Sequence, residues 1–323
     1  MFAAIRAQLE PPAAILRLIQ DLEATGCARR ASANGAGLRV QAGAGWDSNV
    51  SQGISARSLV LGSGDSTLEL ALDESYRPRA SAFVQASIDY SLVLPGAGLT
   101  LQAGLGRRKN TRESDFDLTT LSASAARAFT AYGTPMRAQL EVAEVWLGNR
   151  HYQRTQGAGL QWIEAGPQGA WLASLNASRV DYLTQPAQNA WQLEAGLLRE
   201  QRLSAAVSVQ GGLSLQQDHA AGTRPGGDRK GFQMQVGGLL LAYGWRFKPQ
   251  LTYTRWNSDD VFAPGLLDVR RRNRLSQAAL QAERPLSAQT SLVVEWRARF
   301  ARDTVALYRY QARSFTATLA HRF

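Results

Sequence analysis

The residues of this chain that could do chemistry are few and widely separated. The three histidines, His151, His219 and His321, lie far apart in sequence and show no metal-ligand spacing. The single cysteine, Cys27, has no partner for an internal disulfide. The chain holds no Gly-x-Ser-x-Gly or His-x-x-Glu-His element and no acidic pair near a histidine. We therefore expect no enzyme activity, no metal and no cofactor.

A second set of chemical groups alternates along one segment near the C terminus. Glu295, Arg297 and Arg299 are two residues apart, which puts them on one face of a strand. In a transmembrane β-barrel, an arginine that faces the middle of the lipid bilayer costs about 2–4 kcal/mol. If the chain forms such a barrel, we expect these three residues and Arg322 to be charges of its lumen. They fit either a basic track through the lumen or a set of ion pairs. The carboxylates that could pair with them are Glu194, Glu283 and Glu295.

The overall charge is basic, with a formal net charge of +10 and an isoelectric point near 10.2. Most arginines are scattered singly along apparent strands, and the clusters, at 107–109 and 270–272, are short. No nucleic-acid-binding motif accompanies them. We therefore expect no nucleic-acid partner and assign the basic residues to a lumen or to loops.

The composition excludes a helical membrane protein. The mean hydropathy is -0.25 although 45% of the residues are hydrophobic, and no stretch approaches 18 consecutive apolar residues. A soluble protein or a transmembrane barrel remains, because the alternating strands of a barrel hide their apolar surface from hydropathy averages.

Alternating segments fill the chain from residue 35 onward. For example, Leu99, Leu101, Ala103 and Leu105 alternate with polar or small residues. Each segment is about ten to fifteen residues long, which suits a tilted strand that crosses a bilayer. The fourteen predicted strands are 35–47, 80–94, 98–109, 116–129, 136–147, 155–163, 170–182, 190–199, 204–216, 231–243, 246–256, 273–283, 290–302 and 311–323.

The connections alternate between short and long. Short turns follow the even-numbered predicted strands, and longer or more polar links, at 48–79, 110–115, 148–154, 183–189, 217–230, 257–272 and 303–310, follow the odd-numbered ones. Outer-membrane barrels have short periplasmic turns and longer external loops. We therefore predict an all-β fold, a closed antiparallel up-and-down transmembrane barrel of about fourteen strands, in contact with the lipids of the bacterial outer membrane. An even count puts both termini in the periplasm. The count is uncertain by two, because 59–72 could form a hairpin within the first long link.

The last ten residues alternate up to an aromatic terminus. Phe315, Leu319 and Phe323 share the apolar face, as in the closing strands of outer-membrane barrels. We expect this strand to pair with the predicted strand 35–47. We also expect its apolar residues to be the signal that the barrel-assembly machinery recognises.

Residues 1–30 form a separate region ahead of the barrel, which we place at 31–323. Ile15, Leu18, Ile19 and Leu22 fall on one face of a helix that begins near Pro11. Charged residues interrupt this segment, so it is not a secretory signal. We expect this amphipathic helix to be the tail of a missing periplasmic helical domain, of the tetratricopeptide-repeat kind, or to pack against the barrel mouth.

The junction between that helix and the first strand carries a short motif. The residues Gly45, Trp46, Asp47, Ser48 and Asn49, which follow a proline-started helix and a basic pair at 29–30, resemble the first barrel strand of the surface lipoprotein assembly modifier (Slam) family. Members of that family look like a periplasmic repeat domain followed by a fourteen-stranded barrel. They often have a second asparagine where this chain has Ser51.

The resemblance implies a pore that translocates or displays lipoproteins, with a lipoprotein as client. The alternatives are a polysaccharide-export barrel, which for an anionic polymer needs a continuous basic track, and a passive porin, which has dense opposed charges. The Asp47-Ser48-Asn49 element also has a purely structural interpretation, because Asp and Asn favour turns and bond to nearby backbone.

Overall fold

The computed structural model describes residues 35–63, 66–166 and 168–323. The predicted helix within residues 1–30 lies outside these described residues. The strands are β1 (Gly35–Asp47), β2 (Ser58–Ser63), β3 (Ser66–Ala71), β4 (Ser81–Leu94), β5 (Leu99–Asn110), β6 (Leu118–Ala131), β7 (Thr134–Leu147), β8 (Arg150–Gly166), β9 (Gly169–Tyr182), β10 (Ala190–Arg202), β11 (Val207–Ala220), β12 (Arg229–Ala242), β13 (Trp245–Ala263), β14 (Leu267–Pro285), β15 (Thr290–Asp303) and β16 (Tyr310–Arg322).

The barrel is closed and consists of β1 and β4 to β16. Each strand pairs antiparallel with its neighbours in sequence, and β1 closes the ring by pairing with both β4 and β16. Closure removes the sheet edges, so the backbone groups of every barrel strand have partners on both sides. The predicted fourteen-stranded antiparallel barrel is therefore confirmed. No helix among the described residues is long and apolar enough to span a membrane.

The first long connection contains a separate two-stranded hairpin. β2 and β3 pair from Ser58↔Ala71 to Ser63↔Ser66 and do not join the barrel. This confirms the alternative in which 59–72 forms a hairpin within the loop. The barrel count is therefore fourteen and not sixteen.

Several strands extend further than their sequence pattern predicted. Long links were expected at 148–154 and 257–272, but β8 begins at Arg150, β13 continues to Ala263 and β14 begins at Leu267. Those two predictions were wrong. Within the bilayer, a segment with polar residues on both faces cannot be a barrel strand, because one face of the strand contacts lipid. Beyond the bilayer both faces contact water, so a paired strand can carry polar side chains on both faces.

The two faces of the barrel differ in polarity. The outward positions expose large apolar side chains, among them Ile88, Leu105, Leu121, Leu140, Leu160, Leu175, Leu193, Leu213, Val236, Leu251, Leu280, Trp296 and Leu319. The inward positions between them are mostly polar or glycine. A closed barrel that is apolar outside and polar inside has the architecture of bacterial outer-membrane proteins, because a lipid bilayer covers its outer face.

Most of the tryptophans face lipid. Trp46, Trp162, Trp171 and Trp191 are outward-facing and exposed. Trp256 is the exception: it points into the lumen, where the guanidinium of Arg229 lies 5.5 Å from the centre of its ring.

Candidate functional site: the barrel lumen

The lumen wall is rich in amide and hydroxyl side chains. Alternation along each strand, fixed by the pairing registers, puts fourteen glutamines on the inner face. They are Gln41, Gln85, Gln102, Gln139, Gln153, Gln161, Gln192, Gln210, Gln216, Gln233, Gln235, Gln250, Gln277 and Gln281. A side-chain amide both donates and accepts hydrogen bonds, so this wall offers both kinds of group to a solute.

A cavity of about 500 Å³ lies against β1, β4, β5, β15 and β16. Gln41 on its wall donates to the Ser87 hydroxyl at 3.2 Å and to the Asp89 carboxylate at 3.3 Å. Gln85 donates to the Thr318 hydroxyl at 3.3 Å. Cross-strand hydrogen bonds therefore hold the amide and hydroxyl groups of the cavity wall in place, beside the charged side chains of Asp47, Arg108, Arg297 and Arg299.

The predicted lumen charges divide into two groups. Arg297 and Arg299 line this cavity, and Arg297 forms an ion pair of 2.7 Å with Glu295. Arg322 lies at the opposite end of β16, where its register partner is Arg39. Three of the four predicted groups therefore lie close together, and Arg322 does not belong with them.

Other lumen charges form pairs that the sequence pattern did not predict. Asp47 bonds Arg108 at 3.3 Å, and Asp303 bonds Arg271 at 2.8 Å. Alternation predicts that these side chains point inward, but the pairing depends on the register between strands. Further pairs in the described residues join Glu283 with Arg246 and Lys248, and Asp218 with Arg224 and Arg229.

The candidate carboxylate partners behave differently from one another. Glu295 pairs with Arg297, whereas Glu283 bonds Lys248 at 3.3 Å and Glu194 accepts a hydrogen bond from Gln216 at 3.1 Å. Arg299 forms no ion pair with any residue that the structure describes. Among the described residues, the lumen thus contains local ion pairs, and Arg299 adds a guanidinium without an ion pair at the cavity.

The junction motif fastens the first long loop to the barrel. The Asp47 carboxylate accepts from the Asn49 backbone at 2.9 Å, and the Ser48 hydroxyl accepts from the Arg313 backbone at 2.8 Å. The buried Asn49 amide donates to the Gly53 and Gln311 carbonyls at 3.0 and 2.9 Å and accepts from the Gly53 backbone at 2.7 Å. These bonds give the motif a structural role.

The other two motif residues lie on opposite faces of β1. Trp46 points to lipid with 47% of its surface exposed. Gly45 points inward, where a β-carbon would overlap the Phe315 carbonyl and the Phe83 ring. A glycine is therefore required at this position by close packing within the wall.

The predicted assembly signal lies on the outer face of the closing strand. Phe315, Leu319 and Phe323 are all exposed there, and the Phe323 amide donates to the Leu38 carbonyl at 2.9 Å. The predicted pairing of this strand with β1 is confirmed by the register from Arg39↔Arg322 to Asp47↔Ser314. Recognition by the assembly machinery stays a prediction.

The loop at 221–228, between β11 and β12, is closed by Asp228. Its carboxylate accepts from the Ala220 backbone at 2.9 Å and bonds His219 Nδ1 at 2.8 Å. The backbone bond from Ala220, followed by the bond to His219, holds the pKa of Asp228 below its ordinary value of 3.8. Among the described residues, His, Cys, Asp and Glu form no group of three that could hold a metal ion.

Comparison with known proteins gives likenesses to solved barrels only. No protein-family model and no curated protein matches this chain. An anion-selective porin from Comamonas acidovorans is 9% identical, covers 90% of this chain and 99% of its own, and has a TM-score of 0.49. The DcaP channel of Acinetobacter baumannii is 9% identical over 92% and 99% of the chains, with a TM-score of 0.47.

A Pseudomonas aeruginosa FadL homologue is 11% identical over 90% of each chain, with a TM-score of 0.46. Likeness at this level assigns no substrate to the barrel.

Proposed function

We propose that this outer-membrane β-barrel is a diffusion pore for uncharged hydrophilic solutes, above all small polyhydroxylated molecules. The observation that carries the proposal is the lumen wall, where fourteen inward glutamines stand among hydroxyl side chains. Hydroxylated solutes exchange their hydrogen bonds with water for bonds to amides at little cost, since amides offer both donors and acceptors.

The arrangement of the lumen charges supports a neutral solute over an ionic one. Asp47, Glu283, Glu295 and Asp303 each bond a basic side chain within the lumen. Closely paired charges cancel much of each other's field at a distance, so they attract mobile ions weakly. A continuous basic track, which an exporter of anionic polymer needs, is interrupted by these carboxylates.

Solute permeation into liposomes tests this function. We expect vesicles that contain the protein to admit a neutral disaccharide several-fold faster than an anionic solute of the same size. Replacing Gln41 and Gln85 by leucine removes cavity amides and should slow the neutral solute. Gln156→Leu, on the outward face of β8, is the matched control and should leave the rate unchanged. Equal rates for neutral and anionic solutes would exclude the proposed selectivity.

Lipoprotein display is the second candidate function, and the closing seam favours it. β1 pairs with β4 over its full length, Gly35–Asp47, whereas its register with β16 runs from Arg39 to Asp47 and ends with the bond from the Phe323 amide to the Leu38 carbonyl. A lipid-anchored client has to pass its acyl chains sideways into the bilayer, and the seam with fewer pairs is the place where the wall opens at least cost.

A disulfide across the seam separates the two candidates. Ala44 and Ala317 are opposite each other in register, at about 4.5–5.5 Å between α-carbons, which suits a disulfide. In a Cys27→Ser background, the A44C/A317C lock should leave solute permeation intact and abolish surface display of a client lipoprotein. The A158C/A177C lock, between β8 and β9, is the control. Unchanged display with the seam locked would rule out the second candidate.

A further inference from the structure

A row of arginines crosses the outer surface of β13, β14 and β15. Arg255 is the register partner of Arg274, and Arg274 is the register partner of Arg302. These positions follow the outward alternation of Leu251, Leu280 and Trp296, so the row points away from the lumen. Directly opposite residues have α-carbons about 4.5–5.5 Å apart, and like charges there repel each other.

The row forms no ion pair within the described part of the chain, and the next outward carboxylate of β13, Asp259, bonds Lys230 at 3.0 Å. Arg274 and Arg302 are exposed and form no ion pair, and Arg255 donates only to the Asn257 amide oxygen at 3.3 Å. The outward positions of β13 from 245 to 257 and of β14 to β16 from 272, 292 and 311 onward contain no Asp or Glu. Arg272 and Arg313, which are also exposed, add two further charges to this face.

Arginines on the opposite wall of the barrel show the contrast. Arg154 and Arg179 are outward-facing near the same rim, on β8 and β9. Arg154 bonds Glu144 at 2.6 Å, and Arg179 bonds Asp181 at 3.0 Å. The chain thus supplies its own carboxylates on that side and leaves the arginine row to be neutralised by an external anion.

The position of the row relative to the bilayer indicates what kind of anion can reach it. The outward residues of β13 below it are Trp245, Phe247, Pro249, Leu251 and Tyr253, an unbroken apolar series. A tilted strand of this length spans the apolar band of a barrel, about 25 Å tall. The row therefore lies just above the hydrocarbon, at the level of the lipid headgroups.

The residues directly beneath the row suit acyl chains. Tyr253, Ser276 and Phe300 are register partners one outward position below the three arginines. Phe232, the other register neighbour of Arg255, packs near Tyr253 with 6.0 Å between ring centres. Guanidinium groups above an aromatic belt match an amphiphile with an anionic head and apolar tails.

We propose that the row of Arg255, Arg274 and Arg302, with Arg272 and Arg313 beside it, binds the phosphate groups of the outer-leaflet glycolipid. Guanidinium forks bind phosphate oxygens in pairs, and a bound phosphate replaces the repulsion between adjacent arginines by charge-assisted hydrogen bonds. The bound lipid would thereby cover the wall formed by β13 to β16. This proposal does not depend on what passes through the lumen.

Native mass spectrometry of the full chain in detergent tests the site. The probes are bisphosphorylated lipid A, the same lipid with its phosphates removed, and inorganic phosphate. We expect lipid A to bind, and the variant R255Q/R274Q/R302Q to reduce its bound fraction about tenfold or more, as the loss of several charge-assisted bonds implies. The matched variant R154Q/R179Q, whose arginines have carboxylate partners, should bind as the unmodified chain does.

Each remaining result has a defined meaning. The proposal is overturned if the triple variant binds lipid A as well as the unmodified chain does. It is also overturned if the dephosphorylated lipid binds as well as lipid A and loses that binding in the triple variant. Inorganic phosphate that displaces lipid A at equal concentration assigns the row to free anions and overturns the lipid assignment. Heat-modifiable gel mobility verifies folding; if the triple variant does not fold, Arg302→Gln alone should lower the bound fraction, and an unchanged fraction overturns the proposal. Arg302→Lys, which keeps charge but not the fork, should give an intermediate value.

Discussion

At the residue scale, the polar side chains of the junction motif hold the start of the loop after β1 in a fixed position against the barrel. Asn49 fills its hydrogen-bonding capacity with the Gly53 backbone and the Gln311 carbonyl, and so ties the loop start to β16. Turn-favouring chemistry was predictable from Asp47 and Asn49. The partner on β16 was not, because Gln311 is 262 residues away and is adjacent only once the barrel has closed.

Replacement of Asn49 by alanine should therefore destabilise the closing region. The change leaves the buried Gly53 and Gln311 groups without their partner, at a cost of about 1–3 kcal/mol. We expect faster proteolysis of the loop at 48–80 and a lower denaturant midpoint for the barrel. Glu74→Ala, on the exposed part of the same loop, is the control. Equal protease sensitivity of the two variants would contradict this role for Asn49.

Asp228 gives a pH-dependent prediction. Because its pKa in the folded state lies below the ordinary value of 3.8, the carboxylate stabilises the loop above that pH, and the stabilisation is lost as pH falls through the folded value. As pH falls below 3.8, exchange of the Ala220 amide, which donates to this carboxylate, should become progressively faster than its intrinsic rate change accounts for. Asp228→Asn should reduce this pH dependence. An identical pH response in both proteins would show that another group is responsible.

At the element scale, the sequence predicted the membrane-crossing parts of the strands and failed at their outer ends. Inside a bilayer each outward position has to be apolar, so Leu193 and Leu197 mark β10 unambiguously. Above the bilayer that constraint ends, and Arg150 fits a strand as well as it fits a loop. The strand there forms by pairing with β7 across the two-residue turn at Gly148 and Asn149.

The turn between β7 and β8 provides a test of that outer extension. Gly148 and Asn149 both have positive φ, 54° and 65°, as a tight hairpin turn requires. A β-carbon on Gly148 would lie 2.6 Å from the Asp115 carbonyl. Gly148→Ala should thus cost about 1–2 kcal/mol, and denaturant unfolding would measure it. Asn149→Gly should leave the free energy of unfolding unchanged or raise it slightly. If both variants have the same free energy of unfolding, the segment is a flexible loop and not a tight hairpin.

At the scale of the whole molecule, the candidate site depends on closure. Alternation alone correctly pointed Glu295, Arg297 and Arg299 inward, but the cavity also needs Gln41, Gln85 and Arg108 from the other end of the chain. These residues meet because β1 pairs with β16 and β4 pairs with β5. The composition of the lumen was therefore readable from the sequence, and its arrangement into ion pairs and a cavity required the register of every strand.

If one face of the barrel contacts lipid and the other lines the lumen, the cost of an introduced arginine should depend on its face and on its depth in the bilayer. Leu280 lies midway along the outward face of β14, between Arg274 and Arg284, and 42% of its surface is exposed. Leu280→Arg should destabilise the barrel by about 2–4 kcal/mol, because the guanidinium enters the hydrocarbon midplane. Ser276→Arg, near the upper edge of the same face, should cost about 0–1 kcal/mol.

The inward Gln277 is the internal control, because Gln277→Arg adds the same side chain to the polar lumen of the same strand. Reversible unfolding in lipid vesicles measures all three variants in one system. The free energies of unfolding of Gln277→Arg and Ser276→Arg should be close to that of the unmodified chain. The free energy of unfolding of Leu280→Arg should be well below it. A Leu280→Arg variant as stable as Gln277→Arg would place water, and not lipid, against the outer face, and would remove the basis for both the pore and the glycolipid site.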